Sequence, residues 1–298
     1  MKAAPFAYVR PAGLDDALAE LADGEGKVLA GGQSLVPVLA MRLARPATLV
    51  DINAVEGLDT LRKADGHVLV GATVRQQRLE RDPVVSSVPL VSLALPWVGH
   101  RELRSRGTVC GSLAHADPAA ELPAVASCLN AQIEITGQQG VRTESARDFF
   151  TGPMTTSVGP DEVLTGVRFP VARPDEGFAF AEIARRHGDF ALAGVAVRVR
   201  ATPEKVSEAV LTAFGISDQP RTRDVTDVLA QAVQQAQPSA LQEALTESLT
   251  ALAEELVDTA GDVHGSRAYR KRLLVVLGTR ELANAHGRAL AGPRKDGS

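Results

Sequence analysis

The residues with the clearest chemical potential stand in two short glycine-bearing stretches. Ala30-Gly31-Gly32-Gln33-Ser34 follows the run Lys27-Val28-Leu29 and passes through Leu35 into a helical pattern. Adjacent glycines allow left-handed backbone and can turn successive N–H groups toward one ligand. Ser34 adds a hydroxyl, and the helix start behind it adds the positive end of its dipole. Such a set suits a diphosphate. A Gly-Gly turn alone is more often a plain strand-to-helix connection, and this one matches neither the Gly-Lys-Ser/Thr phosphate loop nor a Rossmann fingerprint.

The second stretch, Arg106-Gly107-Thr108-Val109-Cys110-Gly111-Ser112, repeats that logic and is expected to be a loop. Thr108 and Ser112 offer hydroxyls, and Gly111 allows close backbone approach. Further on, Asp117-Pro118-Ala119-Ala120-Glu121 predicts a helix with Asp117 as N-cap and Pro118 at its first position. Glu121 then lies past the capping-box position, so its carboxylate is available to ribose-type hydroxyls. A solvated first-turn glutamate, favoured by the dipole, accounts for it equally well. His115 can touch a ligand or hydrogen-bond within its own loop, while His187 and His264 read as surface or capping residues. No Ser-His-Asp set and no His-Glu-x-x-His motif supports hydrolase or metalloprotease chemistry.

The elements that must position these residues form three regions, expected at 1–55, 56–170 and 171–290, with a disordered tail over 291–298. In the first, helical spacing over residues 14–21 precedes a strand at 27–30, the glycine turn, a short helix over 35–43 and a strand at 48–52. That order describes a small parallel crossover. The second region holds a strand at 67–71, a polar helix over 74–81, a hairpin of 133–136 with 141–144, and a strand at 163–169. In the third, Val195, Val197 and Val199 alternate as in a half-buried strand, and residues 206–214 pair back onto it. Helices follow over 225–235, 240–257 and 267–285.

Composition narrows the function classes. The chain has 298 residues, 45% of them hydrophobic, and a mean hydropathy near zero, as in an ordinary globular protein. Its only two cysteines, Cys110 and Cys128, cannot by themselves ligate an iron–sulfur cluster or a structural zinc, so any metal centre belongs on another chain. A formal net charge of −4 argues against a general nucleic-acid binder. At 4% aromatic residues there is little surface for base stacking. No apolar run is long enough to span a bilayer, and the N-terminal residues lack a secretion signal's apolar core. A cytoplasmic location is expected.

Taken together, the two loops resemble the flavoprotein subunit of the xanthine dehydrogenase and carbon monoxide dehydrogenase family. The resemblance rests on Ala30-Gly-Gly-Gln-Ser34 and on the long stretch from Arg106 through Cys110-Gly-Ser-Leu-Ala-His115-Ala-Asp117-Pro-Ala-Ala-Glu121 to Pro123. Ala184-Arg185-Arg186-His187-Gly188-Asp189-Phe190-Ala191 is similar to the family's third cofactor segment, and Ser266-Arg-Ala-Tyr269-Arg270-Lys271 to its C-terminal helix. The resemblance covers nearly the whole chain, with four segments in the family's order.

The resemblance implies an α+β fold: a vanillyl-alcohol-oxidase-type FAD-binding domain of two subdomains, then a C-terminal α+β domain of antiparallel sheet and helices. It implies that Lys27 to Leu35 and Thr108 to Ser112 bracket the FAD diphosphate, with His115 in non-covalent contact. Asp117 and Glu121 follow on the next helix, Glu121 matching an acidic residue on the cofactor's sugar portion. Val98 and His100 would lie near the flavin face, Leu164 would pack at the isoalloxazine, and Arg185 and Asp189 belong to the third segment. Two positions depart from the family. Cys110 stands where a first glycine is usual, and its Cβ would strain a left-handed backbone. Ala181, eight residues before Asp189, stands where some relatives carry a lysine near the flavin, which puts charge tuning from that site in doubt.

The activity implied is that of an oxidoreductase subunit passing electrons to an external acceptor. It would work beside a large molybdopterin-binding subunit and a small subunit with two [2Fe-2S] clusters, as a dimer of heterotrimers. Substrate contacts would lie on the molybdenum subunit. Two other readings remain open at this stage: a self-sufficient flavin oxidase of the same fold, and a non-redox nucleotide-binding module. The first needs a large substrate domain, whereas the stretch after Pro170 is short, helix-rich and poor in aromatics.

Overall fold

The computed structural model describes residues 2–292, which divide into two compact units. The first comprises the chain up to Val85, with His100–Ala116 and Ala131–Pro170; the second comprises Ser86–Gly99, Asp117–Asn130 and the residues from Val171 on. Of the tail expected from residue 291, Ala291 ends the last helix, and residues 293–298 lie outside the described residues.

In the first unit, β1 (Ala7–Val9), β2 (Gly26–Leu29) and β3 (Thr48–Asp51) form a parallel sheet in the order β1-β3-β2. The crossover read from the sequence is present: β2, the Gly31-Gly32 turn, the helix Leu35–Ala40, then β3 with Val50 opposite Val28. Val50 of β3 and Leu39 of the helix are both buried, each such side chain contributing roughly 1.5–3 kcal/mol. A second sheet is antiparallel. It is made of β4 (Leu61–Ala64), β5 (His67–Gly71), β6 (Gln132–Gly137) and β7 (Gly140–Ser145), and β8 (Phe150–Gly152) and β9 (Thr155–Thr156) form a separate small hairpin before β10 (Val163–Pro170) rejoins it. Its order, β4-β5-β10-β6-β7, puts β10 at the centre, where Val163, Val167 and Phe169 are buried.

The second unit is built on an antiparallel meander of β11 (Glu176–Ile183), β12 (Ala193–Thr202), β13 (Lys205–Phe214) and β14 (Arg221–Asp224). Strand alternation sorts the side chains. Ala179, Ala181, Val195, Val197 and Val199 share one core with Leu274, Leu277, Leu282 and Ala285 of the C-terminal helix Arg267–Ala291. That helix lies so close that a Cβ on Gly177 would be 2.0 Å from the Ala285 carbonyl oxygen. On the other face Phe180 stacks on Phe214, and the Cys128 thiol of the helix Glu121–Leu129 reaches the Ala196 carbonyl at 3.4 Å.

Several expectations are corrected. The strand β11 carries no polar alternation from Phe178 to Ala181, because helices cover both faces of the sheet, so it escapes a period-two reading. The helix expected over 240–257 breaks at Leu245 into Leu241–Ala244 and Thr246–Leu256, while the last helix runs on to Ala291. Asp117 is not an N-cap. It closes a turn, with the Ala120 N–H on its carbonyl and the Ala119 N–H on its carboxylate, and the helix begins only at Glu121.

Candidate functional site

The stretch expected to be a loop at 108–112 is a helix, Val109–His115, whose N-cap is Thr108. The Thr108 hydroxyl accepts the Gly111 N–H at 3.0 Å, and Val109, Cys110 and Leu113 are buried. Cys110 therefore has helical backbone, and the left-handed strain expected there does not arise. Its thiol donates to the Val70 carbonyl at 3.4 Å; burial, reinforced by Glu134, pushes the thiol well above its ordinary range. A thiol so held is a packing group and not a nucleophile.

The two glycine stretches are locked together within the first unit. A Cβ on Gly31 would lie 2.5 Å from the Arg106 carbonyl oxygen, 2.8 Å from Gly107 Cα and 3.0 Å from the Thr108 nitrogen, so only glycine admits this backbone-to-backbone approach. Gly32 takes φ +73°, and beyond it Gln33 and Ser34 are exposed. The Ser34 hydroxyl makes no capping bond to the helix Leu35–Ala40, which leaves it available to a ligand. Lys27 is exposed and Val28 and Leu29 are half-buried, all on β2. Gly111 and Ser112 are half-buried, as is His115 in the last turn of its helix.

Residues that the sequence did not single out hold the interlock. The Asn53 side-chain amide donates to the Ala30 carbonyl at 2.8 Å, and its oxygen accepts from the Arg75 guanidinium at 2.6 Å. Arg75 also donates to the Arg106 carbonyl at 2.5 Å. One arginine–asparagine pair thus ties the carbonyl before Gly31 to the carbonyl before Gly107. Asp51 anchors Asn53 from below, accepting its amide and backbone N–H as well as the Tyr8 hydroxyl. Gln76 secures the other side, its N–H on the Gly107 carbonyl at 2.9 Å. The available signal was slight: Asp51 and Asn53 close the strand after the glycine turn, but nothing local marks Arg75.

The remaining expected residues divide between the units. In the first, Leu164 is buried on β10 beside a bulge, and His100 is exposed ahead of the helix Arg101–Arg106. In the second, Val98 is half-buried next to Trp97, whose ring stacks on His187 with centroids 5.5 Å apart. Arg185 pairs with Asp189 at 3.4 Å on an exposed turn. Asp117 and Glu121 are both buried, Glu121 at the first helical position where the dipole favours a carboxylate. Ala181 faces the aliphatic core, while its neighbour Glu182 points to the opposite face with both carboxylate oxygens buried and without a hydrogen-bond partner. No cluster of His, Cys, Asp and Glu among the described residues fits a metal ion, and no described helix is long and apolar enough to cross a membrane.

Comparison with known proteins identifies the family. A family model described as the FAD binding domain in molybdopterin dehydrogenase matches residues 4–172, and one described as the CO dehydrogenase flavoprotein C-terminal domain matches residues 178–285. The 6-hydroxypseudooxynicotine dehydrogenase complex subunit alpha of Paenarthrobacter nicotinovorans is 37% identical, over 97% of this chain and 97% of its own. The carbon monoxide dehydrogenase medium chain of Afipia carboxidovorans is 32% identical over 95% of this chain and 98% of its own. The crystal structure of quinoline 2-oxidoreductase from Pseudomonas putida matches with a TM-score of 0.87 and 33% identity, covering 97% of this chain and 100% of that one. This chain therefore belongs to the family of FAD-binding medium subunits of multi-subunit molybdenum hydroxylases, and is an oxidoreductase flavoprotein.

Proposed function

We propose that this chain binds one FAD non-covalently, its diphosphate at the interlocked stretches Ala30–Ser34 and Thr108–Ser112. The observation that carries this reading is the Gly31 approach to Arg106–Thr108, secured by Asn53 and Arg75, which presents two glycine-bearing backbones side by side. Bound FAD would supply the capacity to take electrons from iron–sulfur clusters of a small partner subunit and release them to an external acceptor.

The chain's own part is binding and orientation. Gly32, Gln33 and Ser34 offer N–H and hydroxyl donors to phosphate oxygens, and the start of the helix Val109–His115 adds amides at a positive dipole end. Ser112 and His115 border that helix, while Lys27, Val28, Leu29 and Leu35 support the first turn. On the second unit, Glu121 takes hydroxyls of the sugar portion, with Asp117 shaping the turn before it. Val98, His100 and Leu164 supply contacts to the ring system, and the Arg185–Asp189 pair borders it. The assembly is a dimer of heterotrimers with a large molybdopterin-binding subunit and a small iron–sulfur subunit, in the cytoplasm.

The visible absorption spectrum of the purified chain, alone and with its partners, tests the reading. A flavin spectrum is expected, with loosely held FAD released by acid. Absence of flavin from both the chain and the complex would overturn it.

A further inference from the structure

The ladder between β12 and β13 stops at Gly194 opposite Phe214, so the carbonyls of Leu192 and Gly215 lie just past its end. A carbonyl placed there, away from water, needs a donor from elsewhere. Arg270 of the C-terminal helix supplies it to both. This arginine is 6% exposed, and its Nη1 donates to the Leu192 and Gly215 carbonyls at 2.6 Å each. Its Nη2 donates to Asp262 Oδ2 at 2.7 Å, which balances the buried charge. Asp262 Oδ1 in turn accepts the His264 and Gly265 N–H groups at 2.8 and 3.0 Å. Those bonds close the tight turn between the two-residue strands Gly261–Asp262 and Gly265–Ser266, which leads straight into the helix that carries Arg270.

Both carbonyls belong to junctions with residues assigned above to the cofactor. The Leu192 N–H donates to the Ile183 carbonyl at 2.8 Å, closing the excursion over residues 184–191 that carries the Arg185–Asp189 pair. The Gly215 N–H donates to the Pro118 carbonyl at 2.9 Å, in the turn that precedes Glu121. Gly215 has φ +71°, and a Cβ there would lie 2.7 Å from the Ala191 carbonyl oxygen, so the two junctions touch backbone to backbone. We propose that Arg270 is a positioning residue for FAD: without touching the cofactor, it fixes residues 184–191 and the turn at 117–121 relative to each other. This deepens the FAD reading and rests on it. Lysine is no substitute, because one ammonium cannot bridge two carbonyls and a carboxylate as the planar fork does.

The chain carries its own reporter, since its single tryptophan, Trp97, stacks on His187 within residues 184–191. The test compares wild type, R270K, H187A and L277A as deflavinated full chains, reading Trp97 emission, FAD affinity by calorimetry and the urea midpoint. H187A gives the emission of an unstacked Trp97. L277A removes core packing from the same helix and serves as the stability control. R270K is expected to move Trp97 emission toward that of H187A and to weaken FAD about tenfold, the equivalent of one hydrogen bond to the cofactor. L277A should lower the urea midpoint and keep both wild-type emission and wild-type affinity. Should R270K not fold, D262N carries the same test: it keeps the turn bonds at Oδ1, loosens the hold on the guanidinium and should shift both readouts the same way. Wild-type emission or wild-type affinity in the folded variant overturns the inference, as does an equal loss of affinity in L277A, and each leaves the FAD site standing. Failure of the wild-type chain to bind FAD overturns the site reading itself.

Discussion

Replacing Gly31 with alanine tests the interlock of the two stretches directly. The new methyl group would start 2.5 Å from the Arg106 carbonyl oxygen and 2.8 Å from Gly107 Cα, both backbone atoms that no rotamer change can move. An ordinary contact needs about 3.4 Å, so the stretches must part by about 0.9 Å. That separation also strains the Asn53 bond to Ala30 and the Arg75 bond to Arg106, which hold the same two segments. Overpacking of this kind costs about 1–3 kcal/mol of stability. The expected effect on FAD is larger, because amides aimed at one diphosphate are displaced from each other. Losing one hydrogen bond to a charged group costs about 1.5–3 kcal/mol, or roughly 10–100-fold in affinity. The assay is quenching of FAD fluorescence by the deflavinated chain, with urea unfolding of the same preparations. Gly57→Ala is the control: that glycine has φ +82° with no atom within 4 Å of its would-be Cβ, so the variant should lose stability and keep affinity. A folded G31A chain that binds FAD as the wild type does would refute the assignment of the diphosphate to these stretches.

Arg75→Met should lower stability by about 1–3 kcal/mol, since it removes donors to Asn53 and the Arg106 carbonyl, and should speed FAD release in stopped-flow dilution. Asn53→Ala should resemble it, and the double variant should lose less than the sum if the two act as one tie. Cys110 should resist iodoacetamide in the native chain up to pH 9 and react at once in urea, as mass spectrometry of the labelled peptide would show. For Asp51, burial raises the carboxyl, but the Tyr8 and Asn53 hydrogen bonds and Arg10 outweigh it and hold it below its ordinary value. A depressed carboxyl stabilises the fold above its unfolded value and loses that contribution as pH falls through the folded one. Wild type should therefore exceed D51N in urea midpoint at pH 6, with the gap closing below about pH 4.

Local chemistry was legible in the sequence where the chain repeats a simple pattern. The parallel crossover around Gly31-Gly32 and the alternating Val195, Val197 and Val199 were both readable, because a turn residue or a period of two encodes them. The helix Val109–His115 was not. Its glycine and its β-branched first residue argue for a loop, and what makes it helical is the Thr108 cap together with burial of Cys110 and Leu113. Arg75 and Asn53 were hidden for a different reason. Their bonds reach partners 22 to 31 residues away, and no spacing rule links an arginine before one helix to carbonyls in two distant turns.

The two departures from the family pattern lead to different conclusions once backbone direction is known. Cys110 looked hazardous because a glycine was expected there for conformational freedom. In a capped helix that freedom is not needed, and the added side chain instead fills a buried site under Val70. The closeness of the two stretches is carried by Gly31, where the facing atoms are backbone. Ala181 looked like the loss of a charge near the flavin. In a strand, however, a shift of one residue moves a side chain to the opposite face of the sheet. Ala181 belongs to the aliphatic core beneath the C-terminal helix, and Glu182 lies on the opposite face of the strand. The ionisable group of this stretch of β11 therefore sits on the face with Phe180 and Phe214, where burial first and the Glu121 charge second favour its neutral acid.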